Sequence, residues 1–219
     1  MDSQLKIELV LLSFILVIAR ITYVIHKITT GFSKVAPKRT KPCRTAICIG
    51  SGGHTTEMLR LLQNVNLQNY SPRYYIIAQS DVTSLRKVQS FEESKHSKLN
   101  QEYFIISIPR SRSVGQSYFT SVLTTIASIL YSVPIVVRLR FDLILCNGPG
   151  TCIPICLISF LLRCAFIRES KIVFIESLCR TETFSLTGKI LIYMADNFIV
   201  QWPSLKAKLK RAEYIGQLM

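Results

Sequence analysis

The chain of 219 residues is long enough for one domain plus an appendage, and 49% hydrophobic against 18% charged residues permits a sizeable core. A formal net charge of +14 draws anionic partners, a description that fits membranes, nucleic acids and phosphorylated substrates alike. Seven cysteines, with no CxxC pair and no histidine at ligand spacing, argue against a disulfide scaffold or zinc site and favour reduced core thiols facing a cytosolic pool.

The first segment, 1–27, is read as a membrane anchor. Leu9 to Ala19 is apolar apart from Ser13, and the apolar run resumes after Arg20 through Ile25. Crossing the hydrocarbon core takes about 20 residues, so Leu5 to Ile25 suffices if Glu8 and Arg20 lie near opposite interfaces. An amphipathic helix lying in the interface is the alternative. No small-residue cleavage site follows, which argues against a removable signal peptide. Lys27, Lys34, Lys38, Arg39, Lys41 and Arg44 follow the segment and only Lys6 precedes it, so the positive-inside rule puts the bulk of the chain in the cytosol. Residues 28–44 read as a basic, Pro-containing linker.

From Thr45 onward strand-like and helix-like segments alternate, which predicts a parallel sheet covered by helices. Strands are expected over 45–50, 73–79, 103–108, 141–146, 171–176 and 197–201. Helices are expected over 54–64, 81–95, 117–138, 151–165 and 186–195. The helices at 117–138 and 151–165 are apolar enough to pass for membrane spans, but each is flanked by strand signals, and Pro134 and Pro154 would bend them. Both are expected to pack on the sheet, with an apolar flank touching the bilayer as the alternative. Cys152 and Cys156, four apart, would share one helix face, yet two ligands do not make a zinc site.

Two glycine turns lead into helices: "GSGGHT", with Gly50, Ser51, Gly52, Gly53, His54 and Thr55, and "CNGPGT", with Asn147, Gly148, Gly150 and Thr151. Free N–H groups at a helix start bind phosphate, and glycine lets the backbone come close. A dinucleotide fingerprint would need a third glycine where Thr55 stands and an acidic residue ending the second strand, whereas Asp81 arrives later, where it also suits a helix N-cap. His54 could exchange a proton with a sugar hydroxyl or phosphate, or simply cap the turn. Arg110 and Arg112 follow the third strand and suit a diphosphate, with solvated surface arginines as the alternative. Glu176, Ser177 and Arg180 are similarly set past the fifth strand, with a purely structural Glu176–Arg180 ion pair as the alternative.

The stretches "GSGGHT", "IPRSR", "NGPGTC", "ESLCR" and "SLTGKILIYMADNFIVQWPSLK" together resemble the membrane-anchoring subunit of the two-part UDP-N-acetylglucosamine transferase that acts on dolichol-linked N-acetylglucosamine. That resemblance implies a Rossmann-like parallel sheet over 45–219, similar to the amino-terminal, acceptor-side half of a GT-B glycosyltransferase. It implies an endoplasmic reticulum protein with a single pass, a lumenal N-terminus and a cytosolic domain. The expected reaction adds the second N-acetylglucosamine in β1,4 linkage to N-acetylglucosamine-diphospho-dolichol.

A GT-B enzyme needs two halves, and this chain has length for one, so a small cytosolic partner is expected to carry the UDP-sugar site and this chain to be inactive alone. No metal or cofactor is expected. The resemblance places Gly50, Ser51, Gly52, Gly53 and Thr55 on the acceptor diphosphate and first sugar, with Arg110, Arg112, Asn147, Gly148, Gly150, Thr151, Glu176 and Arg180 in support. Inversion requires a base at the acceptor 4-hydroxyl, and His54 and Asp81 are the candidates. Trp202, Tyr214, Ile215, Leu218 and Met219 are expected to dock on the partner, with a helix folded back on its own sheet as the alternative. Two other readings compete: a pure scaffold whose partner does all the chemistry, and a self-sufficient nucleotide enzyme, which the missing third glycine and missing second half disfavour.

Overall fold

The computed structural model describes residues 3–31, 39–96, 102–112 and 115–218. Met219 and the middle of the basic linker, with Lys34 and Lys38, lie outside the described residues. The elements are α1 (Ser3–Thr29), β1 (Thr45–Cys48), α2 (Gly53–Gln63), β2 (Arg73–Ala78), α3 (Val82–His96), β3 (Tyr103–Ile108), α4 (Tyr118–Leu139), β4 (Leu143–Cys146), α5 (Cys152–Cys164), β5 (Lys171–Ile175), α6 (Leu186–Leu191), β6 (Asn197–Val200), α7 (Pro203–Lys208) and β7 (Glu213–Tyr214).

The strands form one seven-stranded sheet in the order β3-β2-β1-β4-β5-β6-β7, with every adjacent pair parallel. Alternate strand residues feed opposite faces, as the pleat requires. Ala46, Cys48, Ile76, Ile144, Cys146, Phe174 and Phe198 pack beneath α4, α5 and α6, whereas Ile47, Tyr75 and Ile77 meet Met58, Leu62, Val88 and Phe91 of α2 and α3. Both faces of the central strands are covered, so these strands are mostly apolar, with polar residues such as Thr45, Arg73 and Lys171 at their starts. The order reverses between β1 and β4, and there the chain leaves a crevice at the carboxyl ends of the strands.

Two buried ion pairs lock helices to this sheet. Arg73 of β2 donates to both carboxylate oxygens of Glu92 on α3 at 2.7 Å. Arg163 of α5 donates to both oxygens of Asp196, at 3.1 and 2.8 Å, and Asp196 also accepts from the Ile172 amide at 2.9 Å. Removing one member would strand a buried charge at a cost of about 3–5 kcal/mol.

Cys146 joins Cys152 and Cys156, their sulfurs all within 4.8 Å of one another in the core. Burial pushes the Cys48 and Cys152 thiols up, which keeps them protonated. Pro154, expected to bend its helix, sits in the first turn of α5, where its missing N–H has no intrahelical partner to lose.

Among the described residues, α1 and α4 are long and apolar enough to cross a membrane. Residues Gln4 to Ala19 of α1 are exposed, but Ile21, Val24, Ile25 and Ile28 pack against Phe160, Cys164 and Met194. Arg20 donates to the carbonyls of Cys164 and Arg163, both at 3.1 Å, and its guanidinium lies 3.6 Å over the Phe166 ring. The helix is thus docked on α5 over its last third. The linker's end is held as well, by Arg39 donating to Asp142 at 3.0 Å.

The α4 helix packs on the sheet as expected, through Val136, Ile129, Ile135 and Leu139, but its inward face is mixed and part of its apolar surface points out. Ser128 and Ser132 are buried and Ser128 donates to the Pro109 carbonyl at 2.8 Å, while Phe119, Leu123, Ile126 and Leu130 face outward. The carboxyl-terminal tail folds back on its own sheet: α7 buries Leu205 in the core, and Glu213 and Tyr214 pair with Ile199 and Val200 as a short edge strand.

Candidate functional site

After β1 the chain turns through Gly50, Ser51 and Gly52 into α2, and Gly52 has a left-handed φ of +63°. After β4 it turns through Gly148, φ +90°, into α5. These two loops flank the strand-order reversal and touch each other. A Cβ on Gly50 would lie 2.7 Å from Cβ of Pro149 and 2.8 Å from Cβ of His54. One on Gly148 would come 3.1 Å from Cε1 of the His54 ring. The glycines at these two positions therefore serve the mutual approach of the loops. At Gly53, by contrast, a Cβ would meet no protein atom within 4 Å.

The loops enclose a cavity of about 200 Å³ lined by Gly50, Ser51, His54, Asp81, Arg110, Arg112, Gly148, Gly150 and Thr151 together with Ile49, Ala78 and Pro149. Two helix N-termini, of α2 and α5, open onto it and favour an anion there. The Arg112 guanidinium donates to the Gln116 carbonyl at 3.2 and 2.9 Å, which orients it along the cavity wall. Arg110 sits beside it just past β3. Both carboxylate oxygens of Asp81 accept from Ser84, from its amide at 3.0 Å and its hydroxyl at 2.7 Å, so Asp81 caps the start of α3. His54, the second residue of α2, leaves Nδ1 buried without a hydrogen-bond partner, 3.9 Å from Oε2 of Glu57.

The remaining predicted residues stand behind the lining. Thr55, where a dinucleotide site would have glycine, is buried and donates to the Gly50 carbonyl beside the Ser84 hydroxyl at 2.7 Å, which braces the turn against α3. Asn147 is buried beneath His54, donating to the His54 carbonyl at 3.2 Å and to Glu57 at 3.1 Å. Glu176 is fully buried and accepts from the Ser185 amide at 3.0 Å and the Ser177 amide at 3.2 Å. Burial raises its carboxyl above the usual glutamate range, against the pull of those hydrogen bonds and of Arg180. Its oxygen also fills the space over Gly188, where a Cβ would lie 2.5 Å away. Arg180 is exposed, and neither Glu176 nor Arg180 lines the cavity. Gly52 and Gly53 lie on the rim.

Sequence reasoning missed Glu57 and Ser84. Glu57 stands three residues after His54 on a helix, a spacing that places both on one face and was available from the sequence. In the tail, Trp202 donates to the Leu178 carbonyl at 2.7 Å, Tyr214 and Ile215 are exposed, and the Leu218 amide donates to Gln201 at 3.3 Å.

Residues 45–218 match the family described as "Oligosaccharide biosynthesis protein Alg14 like". The chain belongs to that family. It is 46% identical over 194 residues to the protein of Mus musculus named UDP-N-acetylglucosamine transferase subunit ALG14, covering 86% of this chain and 88% of that one. The Homo sapiens protein of the same name is 48% identical over 177 residues, covering 79% and 82%. Among solved structures, LpCGTa in complex with UDP superposes with a TM-score of 0.51 at 15% identity, covering 80% of this chain and 51% of that one. The chain thus spans about half of that solved structure. This likeness is one of fold, and it bears out the expected Rossmann-like sheet of one GT-B half.

Proposed function

We propose that this member of the family is the membrane-held, acceptor-side half of a two-protein UDP-N-acetylglucosamine transferase. It recruits a small cytosolic subunit carrying the UDP-sugar site and is inactive alone. The complex adds the second N-acetylglucosamine, β1,4, to N-acetylglucosamine-diphospho-dolichol on the cytosolic face of the endoplasmic reticulum. Segment 1–27 is the anchor, with its N-terminus lumenal, 28–44 the basic connection and 45–219 the acceptor half. The names of the relatives support the substrate class, and the docked α1 and outward apolar face of α4 support a chain held at a bilayer.

The observation that carries the reading is the cavity at the sheet's switch point, which gathers two helix N-termini, two arginines and one imidazole. A diphosphate fits the N-termini and the guanidinium groups of Arg110 and Arg112, because arginine pairs phosphate oxygens in a bidentate way. The first sugar then extends toward His54. The acceptor 4-hydroxyl oxygen attacks the anomeric carbon of the donor sugar, the bond to UDP breaks with inversion, and the hydroxyl proton passes to Nε2 of His54. Asp81, with both oxygens engaged by Ser84, is the weaker base and orders the cavity wall. The exposed Tyr214 and Ile215 beside β7, with Trp202, Leu218 and Met219, form the partner contact.

The test is transfer from UDP-N-acetylglucosamine to a lipid-diphosphate-linked N-acetylglucosamine, with each subunit omitted in turn and with His54→Ala in this chain. The reading expects activity only with both subunits and a loss in kcat of about 100-fold or more for His54→Ala. Full turnover by the partner with a His54→Ala, Arg110→Ala chain would make this chain a scaffold.

A further inference from the structure

The group facing the unpartnered Nδ1 of His54 is a carboxylate fixed from two sides. Glu57 follows His54 by one helical turn, and its side chain is 12% exposed. Oε2 accepts from Asn147 at 3.1 Å, on the loop after β4. Oε1 accepts from the Ser177 hydroxyl at 2.9 Å, on the loop after β5. Asn147 also donates to the His54 carbonyl at 3.2 Å, so its amide binds both ends of the His54–Glu57 turn. Glu57 has no arginine or lysine partner among the described ion pairs; its cationic neighbour would be His54 itself. The other charged groups around the imidazole are Asp81, Arg110 and Arg112 across the cavity, while the α5 side presents only Gly148, Pro149, Gly150 and Thr151.

We infer that Glu57 is the positioning residue for His54, holding the imidazole with Nδ1–H toward the carboxylate and the Nε2 lone pair toward the cavity. This rests on the proposed role of His54 as base. Nδ1 stands 3.9 Å from Oε2, and catalytic hydrogen bonds are often long before substrate binds. During transfer the acceptor O–H bond breaks and its proton goes to Nε2; Nδ1 keeps its own proton, and Glu57 stays ionised beside the imidazolium. Asn147 and Ser177 prevent the carboxylate from swinging away, which gives two buried residues outside the cavity lining a part in the chemistry. A purely mechanical role, bracing α2 against the two loops, is the competing account, and it predicts a different dependence on His54.

The experiment is a double-mutant cycle in the reconstituted two-subunit complex, read as kcat and acceptor KM with UDP-N-acetylglucosamine and a short-chain lipid-diphosphate N-acetylglucosamine. Glu57→Gln is expected to lower kcat roughly 10- to 100-fold with KM changed less than about twofold, and to lower kcat less than about twofold when His54 is already Ala. Ser177→Ala is expected to give a smaller loss of the same kind, equally silent in the His54→Ala background, and it carries the cycle should Glu57→Gln not accumulate. Equal losses in both backgrounds would make Glu57 a brace and overturn the inference. Wild-type kcat for Glu57→Gln beside an impaired His54→Ala overturns the positioning role alone, whereas wild-type kcat for His54→Ala removes the base and this inference with it.

Discussion

Helices α4 and α5 read alike in the sequence, as apolar runs between strands, but the fold uses them in opposite ways. Ile155, Cys156 and Ile158 of α5 are buried, and Arg163 is tied into the core by Asp196. The α4 helix turns Ser128 and Ser132 inward and shows Phe119, 84% exposed, and Leu130, 67% exposed, to the outside. Apolar content therefore gives length and type of element but not its inward face. On α4 the hydroxyls share that face: Thr124 and Thr125 donate to the Ser111 carbonyl, at 2.7 and 3.1 Å, and so supply a backbone acceptor of the loop after β3.

Five substitutions break or sharpen that contrast. Asp196→Ala should cost about 3–5 kcal/mol, because it leaves Arg163 of α5 buried and unpaired; urea unfolding of the detergent-solubilised complex would report it. Ile155→Ala, which opens a cavity between α5 and the sheet, should cost about 2–5 kcal/mol by the same measurement. Ser128→Ala should cost about 1–2 kcal/mol, as the Pro109 carbonyl loses its donor, although the change makes α4 more apolar. Leu123→Ser with Leu130→Ser should move stability by no more than about 0.5 kcal/mol each. The last pair has a second readout: in a chain lacking residues 1–19, it should shift protein from the liposome-bound to the free fraction in flotation. If Leu130→Ser destabilised as much as Ile155→Ala, the two helices would be core elements of one kind.

The register of strands and helices was legible to within a residue or two over most of the domain because period-two and helical patterns were clean and glycines marked the turns. The edge pair Glu213–Tyr214 and helix Pro203–Lys208 were not, since the lysine-rich "SLKAKLKR" carries little apolar period and a two-residue strand has no pattern to read. The site was legible as a set of loops. Its internal wiring was not: Gly50 and Gly148 read as openings for phosphate, whereas each is also required by a neighbour across the crevice, Pro149 and the His54 ring. Glu176 looked like half of an ion pair, but its oxygens are used by Ser185 and Ser177, which no local spacing announces.

The seat of α1 on α5 has a mechanical consequence. A domain on a limp leash would sweep a hemisphere and meet a lipid headgroup at any angle. Here the Arg20–Phe166 stack and the packing of Ile21, Val24, Ile25 and Ile28 seat the helix directly on the α5 side of the domain. With α1 as the anchor, the domain behaves as a vane on a mast: its tilt and its height above the headgroups are set by the helix, and rotation about the bilayer normal is the freedom that remains. The crevice would then travel at one altitude, and on the proposed function its search for a lipid-borne diphosphate would be a two-dimensional one. Helix-breaking glycines inserted between Arg20 and Ile21 would restore the third dimension.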